Sequence, residues 1–220
     1  MLAEELIADE IPPLKITDSG ETALHWMDEF KISHLSVLDN GRFLGTISES
    51  DVLGMSDISE PVSKYRELLN PAFVMQSQHI FEVVKVVNDH KLSIIPVLDN
   101  NEVYKGSITI AALMQIIADM PVANNPGGVI VIELNQNDYS LESIARIIEE
   151  NNTKILGTFV TSHADSTKML LTIKVNKIEI RSIIAALQRH EYTITFFEQS
   201  EDANADIRDR FDSFMNYLNL

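Results

Sequence analysis

The sequence predicts an α+β chain: two tandem β-α-β-β-α repeats, then a ferredoxin-like β-α-β-β-α-β unit. Three observations predict it. Residues 31–40 read KISHLSVLDN and residues 91–100 read KLSIIPVLDN, sixty positions apart; a period of that order marks a supersecondary unit copied in tandem. Within each copy the apolar spacing switches between helical steps and short continuous strand runs. Residues 121–128 (PVANNPGG) are dense in helix and strand breakers, and the pattern changes after them.

In the first repeat, residues 14–17 form a short extended piece after Pro12 and Pro13. Asp18, Ser19 and Gly20 can open a helix, whose stripe is Ala23, Met27 and Phe30. Residues 35–38 are an apolar strand, Asp39–Asn40–Gly41 a hairpin signal, residues 43–47 the return strand, and residues 48–55 a helix start. Residues 60–69 read as a connecting helix. The second repeat follows the same script, with Ile80, Val83, Val84 and Val87 as stripe, strands over 94–98 and 103–108, and a helix over 109–120. The third unit has strands at 129–134, 155–161, 169–175 and 192–197. Its helical stripes are Leu141, Ile144, Ala145 and Ile148, and Ile180, Ile183, Ile184 and Leu187. That order is ferredoxin-like. The expected domains are 1–122 (repeats 1–58 and 59–122), 128–199, and an amphipathic helix over 200–220. The stripe of that helix is Ile207, Phe211, Phe214, Met215 and Leu218; it suits docking on its own domain or sister subunit, or on an outside partner.

Composition narrows the function. Seventeen Lys and Arg against 33 Asp and Glu give a net charge of −16, a field that repels nucleic acid and anionic lipid. There is no cysteine, so disulfides, zinc–thiolate sites and thiol nucleophiles are excluded. MLAEELIADE lacks a basic-then-apolar signal pattern, and no apolar run approaches the roughly 20 residues that span a bilayer. A cytoplasmic protein without membrane association is expected. No phosphate-binding loop, H-E-x-x-H or G-x-S-x-G motif occurs, and the six histidines are scattered. Neither catalytic residues nor metal ligands are expected.

One constellation stands out. Residues 45–51 (GTISESD) run from a strand into a helix. Ser48 stands at the N-cap and Asp51 three residues on, which is a capping box needing no ligand. The same pair suits a ribose. A carboxylate can accept from two neighbouring hydroxyls, and a serine hydroxyl adds a donor and an acceptor. Asp51 repels a phosphate placed against it, so a phosphate would lie further along.

The strand runs, the turns and the G-h-h-[ST]-x-x-D stretch resemble a tandem pair of CBS motifs, a Bateman module, over about residues 2–120. The resemblance implies that Ser48 and Asp51 contact the ribose of an adenosine-containing ligand: AMP, ADP, ATP or S-adenosylmethionine. It also implies an adenine slot lined by Ile16, Thr17, His34 and Leu35. His34 would meet a phosphate or stack on the base, or stand as a half-buried structural histidine, since its counterpart is Ile94. In the second repeat Thr109 keeps the hydroxyl, but Ala112 replaces the carboxylate, so one intact site per chain is expected.

The third unit resembles an ACT domain, a family that often binds amino acids at a dimer interface. Tyr139 and Ser140 stand where that family commonly has Pro-Gly, and a side chain obstructs close approach to the backbone. The whole order resembles acetoin-utilisation-type proteins. The expected function is therefore a non-catalytic regulatory module, a homodimer that senses an adenosine ligand and acts on a separate protein partner. The alternative is an oligomerisation scaffold that binds no small ligand.

Overall fold

The computed structural model describes residues 1–8 and 11–198. The amphipathic helix expected over 200–220 and the expected domain end at Gln199 lie outside the described residues. The chain divides into two compact units, Met1–Ile117 and Ala118–Leu220.

The first unit holds both repeats. The first repeat is β1 (Leu14–Lys15), α1 (Gly20–Phe30), β2 (His34–Asp39), β3 (Arg42–Ser48) and α2 (Glu49–Leu53). The second is β4 (Val74–Met75), α3 (Ile80–His90), β5 (Ile94–Leu98), β6 (Tyr104–Thr109) and α4 (Ile110–Asp119). Each builds a three-stranded sheet, β1-β2-β3 and β4-β5-β6, with a parallel first pair and an antiparallel hairpin. The registers repeat position for position: Leu14 lies opposite Val37, and Val74 opposite Val97.

Local chemistry explains the copies. The Ser19 hydroxyl accepts from the Thr22 amide at 3.2 Å and opens α1. Both α1 and α3 end on a lysine in the left-handed region, Lys31 at φ 54° and Lys91 at φ 53°. Asn40 (φ 49°) and Gly41 (φ 83°) make the tight hairpin. Ala23 and Met27 on α1 bury against Leu14, Leu35, Val37 and Ile47; each large aliphatic side chain so buried contributes about 1.5–3 kcal/mol.

The repeats exchange their leading segments. The chain start lies on the second repeat: Ala3 donates to Gln78 O at 2.8 Å, and Ala8 to Ser107 O at 2.9 Å. The segment leading into the second repeat lies on the first: Thr46 and Asn70 exchange two backbone hydrogen bonds, each 2.8 Å. The expected helix over 60–69 is instead a 3-10 segment, Val62–Leu68, broken at Tyr65 (φ −126°, ψ 36°). Its first amides, which any helix leaves without internal partners, bond to the first repeat, Val62 to Asp18 O at 2.9 Å and Ser63 to Ile16 O at 2.8 Å; the break comes at Tyr65, whose hydroxyl is held by Ser56 Oγ at 2.8 Å.

Gly45 and Gly106 allow the exchange. A Cβ on Gly45 would sit 2.8 Å from Leu69 Cβ and 2.9 Å from Asn70 O; one on Gly106 would sit 2.3 Å from Ile7 Cγ2. Between the repeats, the Ser36 and Ser107 hydroxyls bond at 2.8 Å while almost fully buried, and Tyr104 OH joins Ser107 at 2.9 Å. The Phe43 and Tyr104 rings stack at 6.5 Å.

The second unit contains α5 (Pro121–Asn124), β7 (Val129–Asn135), α6 (Leu141–Glu150), β8 (Ile155–Ser162), β9 (Lys168–Val175), α7 (Arg181–Arg189) and β10 (Thr193–Glu198). Its sheet runs β10-β7-β9-β8 and is antiparallel throughout, the ferredoxin-like order. α5 falls inside the breaker-rich stretch, where Pro121 at the first helical position has no amide to satisfy. One sheet face carries the core, with Ile130, Ile132, Leu171 and Ile173 packed in one cluster with Ile144, Ile148, Ile183 and Leu187. Phe159, Thr172, Val131 and Phe196 lie in register across the sheet, and both phenylalanines are 51% exposed.

Gly106→Ala should lower stability by about 1–3 kcal/mol, the ordinary cost of overpacking. Adding Ile7→Ala should recover part of that loss, as coupled neighbours do. Urea melts of the two single variants and the double variant measure it; strictly additive losses would show that the close approach at Ile7 is not what excludes a side chain.

Candidate functional site

The candidate site lies where the β2–β3 ladder runs off into α2. His34 pairs with Ser48 at the end of that ladder, and the Glu49 amide donates to Ser33 O at 2.9 Å one step further. The imidazole and the Ser48 hydroxyl are therefore cross-strand neighbours. Ser48 is extended (φ −93°, ψ 158°) and caps α2.

The capping box is complete. Ser48 Oγ accepts from the Asp51 amide at 3.1 Å, and the Ser48 amide donates to Asp51 Oδ2 at 3.3 Å. The Ser48 hydroxyl also makes a short bond to Asp51 Oδ2 and lies 2.9 Å from Ser50 Oγ. Asp51 Oδ1 has no hydrogen-bond partner among the described residues. The pair is half-buried. A hydroxyl and a carboxylate side by side, with one carboxylate oxygen unengaged, can accept from a vicinal diol.

His34 is turned to the other repeat. Its Nδ1 lies 3.2 Å from Ser33 Oγ and 3.1 Å from Ser93 Oγ, and the Ser93 amide donates to it at 3.2 Å. A backbone N–H only donates, so Nδ1 is the acceptor and the ring proton sits on Nε2. The Ser33 amide donates back to Ser93 Oγ at 3.0 Å. Burial holds the imidazole below its ordinary pKa, opposed by the negative charge of Asp51.

The other expected slot residues divide. Ile16 (5% exposed) and Leu35 (0%) belong to the apolar core of the first repeat, so their side chains fill that core. The Ile16 amide donates to Leu38 O at 2.8 Å and its carbonyl accepts from Ser63. Thr17 is exposed at the turn after β1. Ser48, Asp51 and His34 are thus brought together; Ile16 and Leu35 are side chains of the interior. A neighbouring cleft of about 380 Å³ is lined by Met27, Lys31, Ile32, Ser33, Glu49 and Ser93. Reasoning from sequence did not single out Ser33 and Ser93. The signal was present, since both repeats carry serine third in the shared ten-residue stretch.

The second unit has its own recess of about 390 Å³, bordered by Glu133, Asn135, Asp138, Lys168, His190 and Tyr192. Lys168 pairs with Glu133 and its hydrogen bond holds that carboxyl below the usual range. The loop after β7 turns through a 3-10 segment, Gln136–Asp138, closed by Asn135 Nδ2 donating to Asp138 Oδ2 at 2.8 Å. Among the described residues, no group of three or more His, Asp or Glu side chains could hold a metal ion. No described helix is long and apolar enough to cross a membrane.

The model of the CBS domain matches residues 3–57 and 65–119, together half of the chain. The chain belongs to the CBS-domain family. Its two CBS domains are the two repeats, and they are not equivalent. In the second CBS domain Thr109 caps α4, accepting from the Ala112 amide at 2.9 Å. Ile94 lies opposite Thr109, and Ala112 carries no acid. At these equivalent positions the first CBS domain presents imidazole, hydroxyl and carboxylate, and the second presents a hydroxyl alone.

Among curated proteins the chain is similar to inosine-5'-monophosphate dehydrogenase of Aquifex aeolicus, 23% identical over 218 residues, covering 89% of this chain and 44% of that protein. The chain thus spans less than half the length of that relative. Among solved structures it is similar to a CBS domain pair/ACT domain protein from Thermotoga maritima, 19% identical, covering 54% of this chain and 98% of that one, TM-score 0.48. It is also similar to CBSX2 in complex with AMP, 18% identical, covering 53% of this chain and 95% of that one, TM-score 0.46.

His34 should leave a pH signature. Its folded pKa lies below the ordinary imidazole value, so the unfolded chain binds the proton first. The stability tied to neutral His34 is complete above pH 6.5 and drains away as pH falls through the lower folded pKa. His34→Ile should flatten stability against pH in that window; equal slopes for both proteins in urea melts between pH 5 and 7.5 would contradict it. Separately, Ser48→Ala should cost about 1 kcal/mol without ligand, the value of a lost N-cap.

Proposed function

We propose that this CBS protein is a non-catalytic regulatory module. It senses an adenosine-containing ligand, AMP, ADP, ATP or S-adenosylmethionine, through its first CBS domain and acts on a separate protein partner. The observation that carries the reading is the pairing of the Ser48 hydroxyl with the Asp51 carboxylate, whose Oδ1 has no protein partner among the described residues. This is the pair that the family resemblance assigns to the ribose. His34, half-buried, stands opposite Ser48, and the reading adds the exposed Thr17 to the ligand's surroundings; the side chains of Ile16 and Leu35 support the site from the core. One site per chain follows from Ala112.

The rest of the proposal is organisational. Residues 1–122 form the sensing pair and residues 128–199 an ACT-like domain, supported by the β10-β7-β9-β8 order. The occupied turn at Asn137, Asp138, Tyr139 and Ser140 favours a pairing role for that domain over amino-acid binding. The acetoin-utilisation-type architecture is the one this order resembles. A cytoplasmic homodimer is the proposed state. Its support in the first unit is the exposure of Phe81 (72%), Met114 (57%) and Ile110 (43%) on α3 and α4, apolar area that association would remove from water.

A second reading has its own observation. The capping box satisfies Ser48 and much of Asp51 without any guest, as a ligand-free scaffold requires.

Thermal melts against AMP, ADP, ATP and S-adenosylmethionine separate the two. A bound ligand at 100 times its Kd adds about 2.7 kcal/mol. The sensor reading expects a shift with at least one of the four that Asp51→Ala largely removes. No shift with any of them supports the scaffold, and a shift that survives Asp51→Ala intact places the site elsewhere.

A further inference from the structure

The sixty-residue repeat sets an expectation for the contact between Ser33 and Ser93, which are equivalent positions. Twofold symmetry would give two reciprocal bonds, the amide of each serine donating to the hydroxyl of the other. Only one exists: the Ser33 amide donates to Ser93 Oγ at 3.0 Å. The Ser93 amide donates instead to His34 Nδ1 at 3.2 Å, and Ser33 Oγ lies 3.2 Å from the same nitrogen. His34 has taken the acceptor role that symmetry assigns to Ser33.

The replacement occurs on one side only, the side with the carboxylate. Opposite Ser48 stands His34; opposite Thr109 stands Ile94. Asp51 is the charge that acts on the imidazole, and no such charge exists at Ala112. Nδ1 is committed across the repeats, and Nε2–H has no protein partner among the described residues. One ring therefore joins the candidate ribose pair to the backbone of the second repeat.

We propose that His34 is the positioning residue that couples occupancy of the Ser48–Asp51 site to the joint between the repeats. This rests on the adenosine-sensing reading above. A guest held by Asp51 accepts from Nε2–H and fixes the ring in the tautomer whose Nδ1 accepts from Ser93. Binding thereby tightens the Ser33–His34–Ser93 tie. By linkage, loosening the tie weakens binding by the same factor.

Amide hydrogen exchange at Ser93 tests it, with adenosine, the fragment common to all four ligands, as the probe. In the wild type, saturating adenosine should slow Ser93 exchange by about 5- to 150-fold, the ordinary span of coupling between sites. Ser93→Ala, outside the binding pair, keeps its amide but loses the hydroxyl that holds Ser33 and the ring; its adenosine Kd should rise. His34→Asn keeps an acceptor for the Ser93 amide but has no Nε2–H. It should preserve protection in the free protein and lose the adenosine response. His34→Ile, which restores the residue found at position 94, controls for folding and should also lose the response. Adenosine binding without a change at Ser93 in the wild type, or an undiminished response in His34→Asn, overturns the coupling and leaves the sensing reading standing. No adenosine binding to the wild type overturns both.

Discussion

Backbone hydrogen bonds between the two repeats set the conditions for everything else in the first unit. Each repeat lends its opening segment to the other, and each receives a segment against a glycine in its return strand. Neither three-stranded sheet is covered by its own chain alone. The exchange fixes the repeats in register, so that equivalent residues such as Ser33 and Ser93 meet face to face. It also ties the start of the connection over 62–68 to the first repeat, through the Val62 and Ser63 amides, while the helical run itself is interrupted at Tyr65.

That frame places one polar cluster at the end of a hairpin. His34 and Ser48 are neighbours because they are paired across β2 and β3. Asp51 joins them because a capping box requires its carboxylate to fold back on the N-cap. The geometry therefore arises from ordinary helix and sheet rules. The chemistry arises from which side chains occupy it, and the second repeat shows the same backbone with Ile94, Thr109 and Ala112 giving no charge at all.

Much of this was legible in the sequence. The tandem repeat was readable from the shared ten-residue stretch, the hairpin from Asp39–Asn40–Gly41, and the cap from Ser48 and Asp51, because local patterns encode them. Contacts that depend on packing were not. The family resemblance assigned Ile16 and Leu35 to the slot, but that their side chains lie in the core of the first repeat was visible only in the fold. In the sequence His34 reads as a structural residue or as a ligand contact, and only the position of Ser93 decides what its Nδ1 does. The connecting helix expected over 60–69 is a 3-10 segment broken at Tyr65, a kink that no local pattern announced.

A carboxylate that already serves the protein at rest is not idle. Asp51 Oδ2 receives both the amide and the hydroxyl of Ser48, so a diol that reaches Oδ1 with one hydroxyl must share Oδ2 with its second or displace an internal bond worth about 1 kcal/mol. Since 1.4 kcal/mol is a factor of about ten in Kd, that rivalry alone holds affinity several-fold below what an uncommitted acid would offer. On the sensing reading, such a grip suits solutes that are plentiful and quickly released.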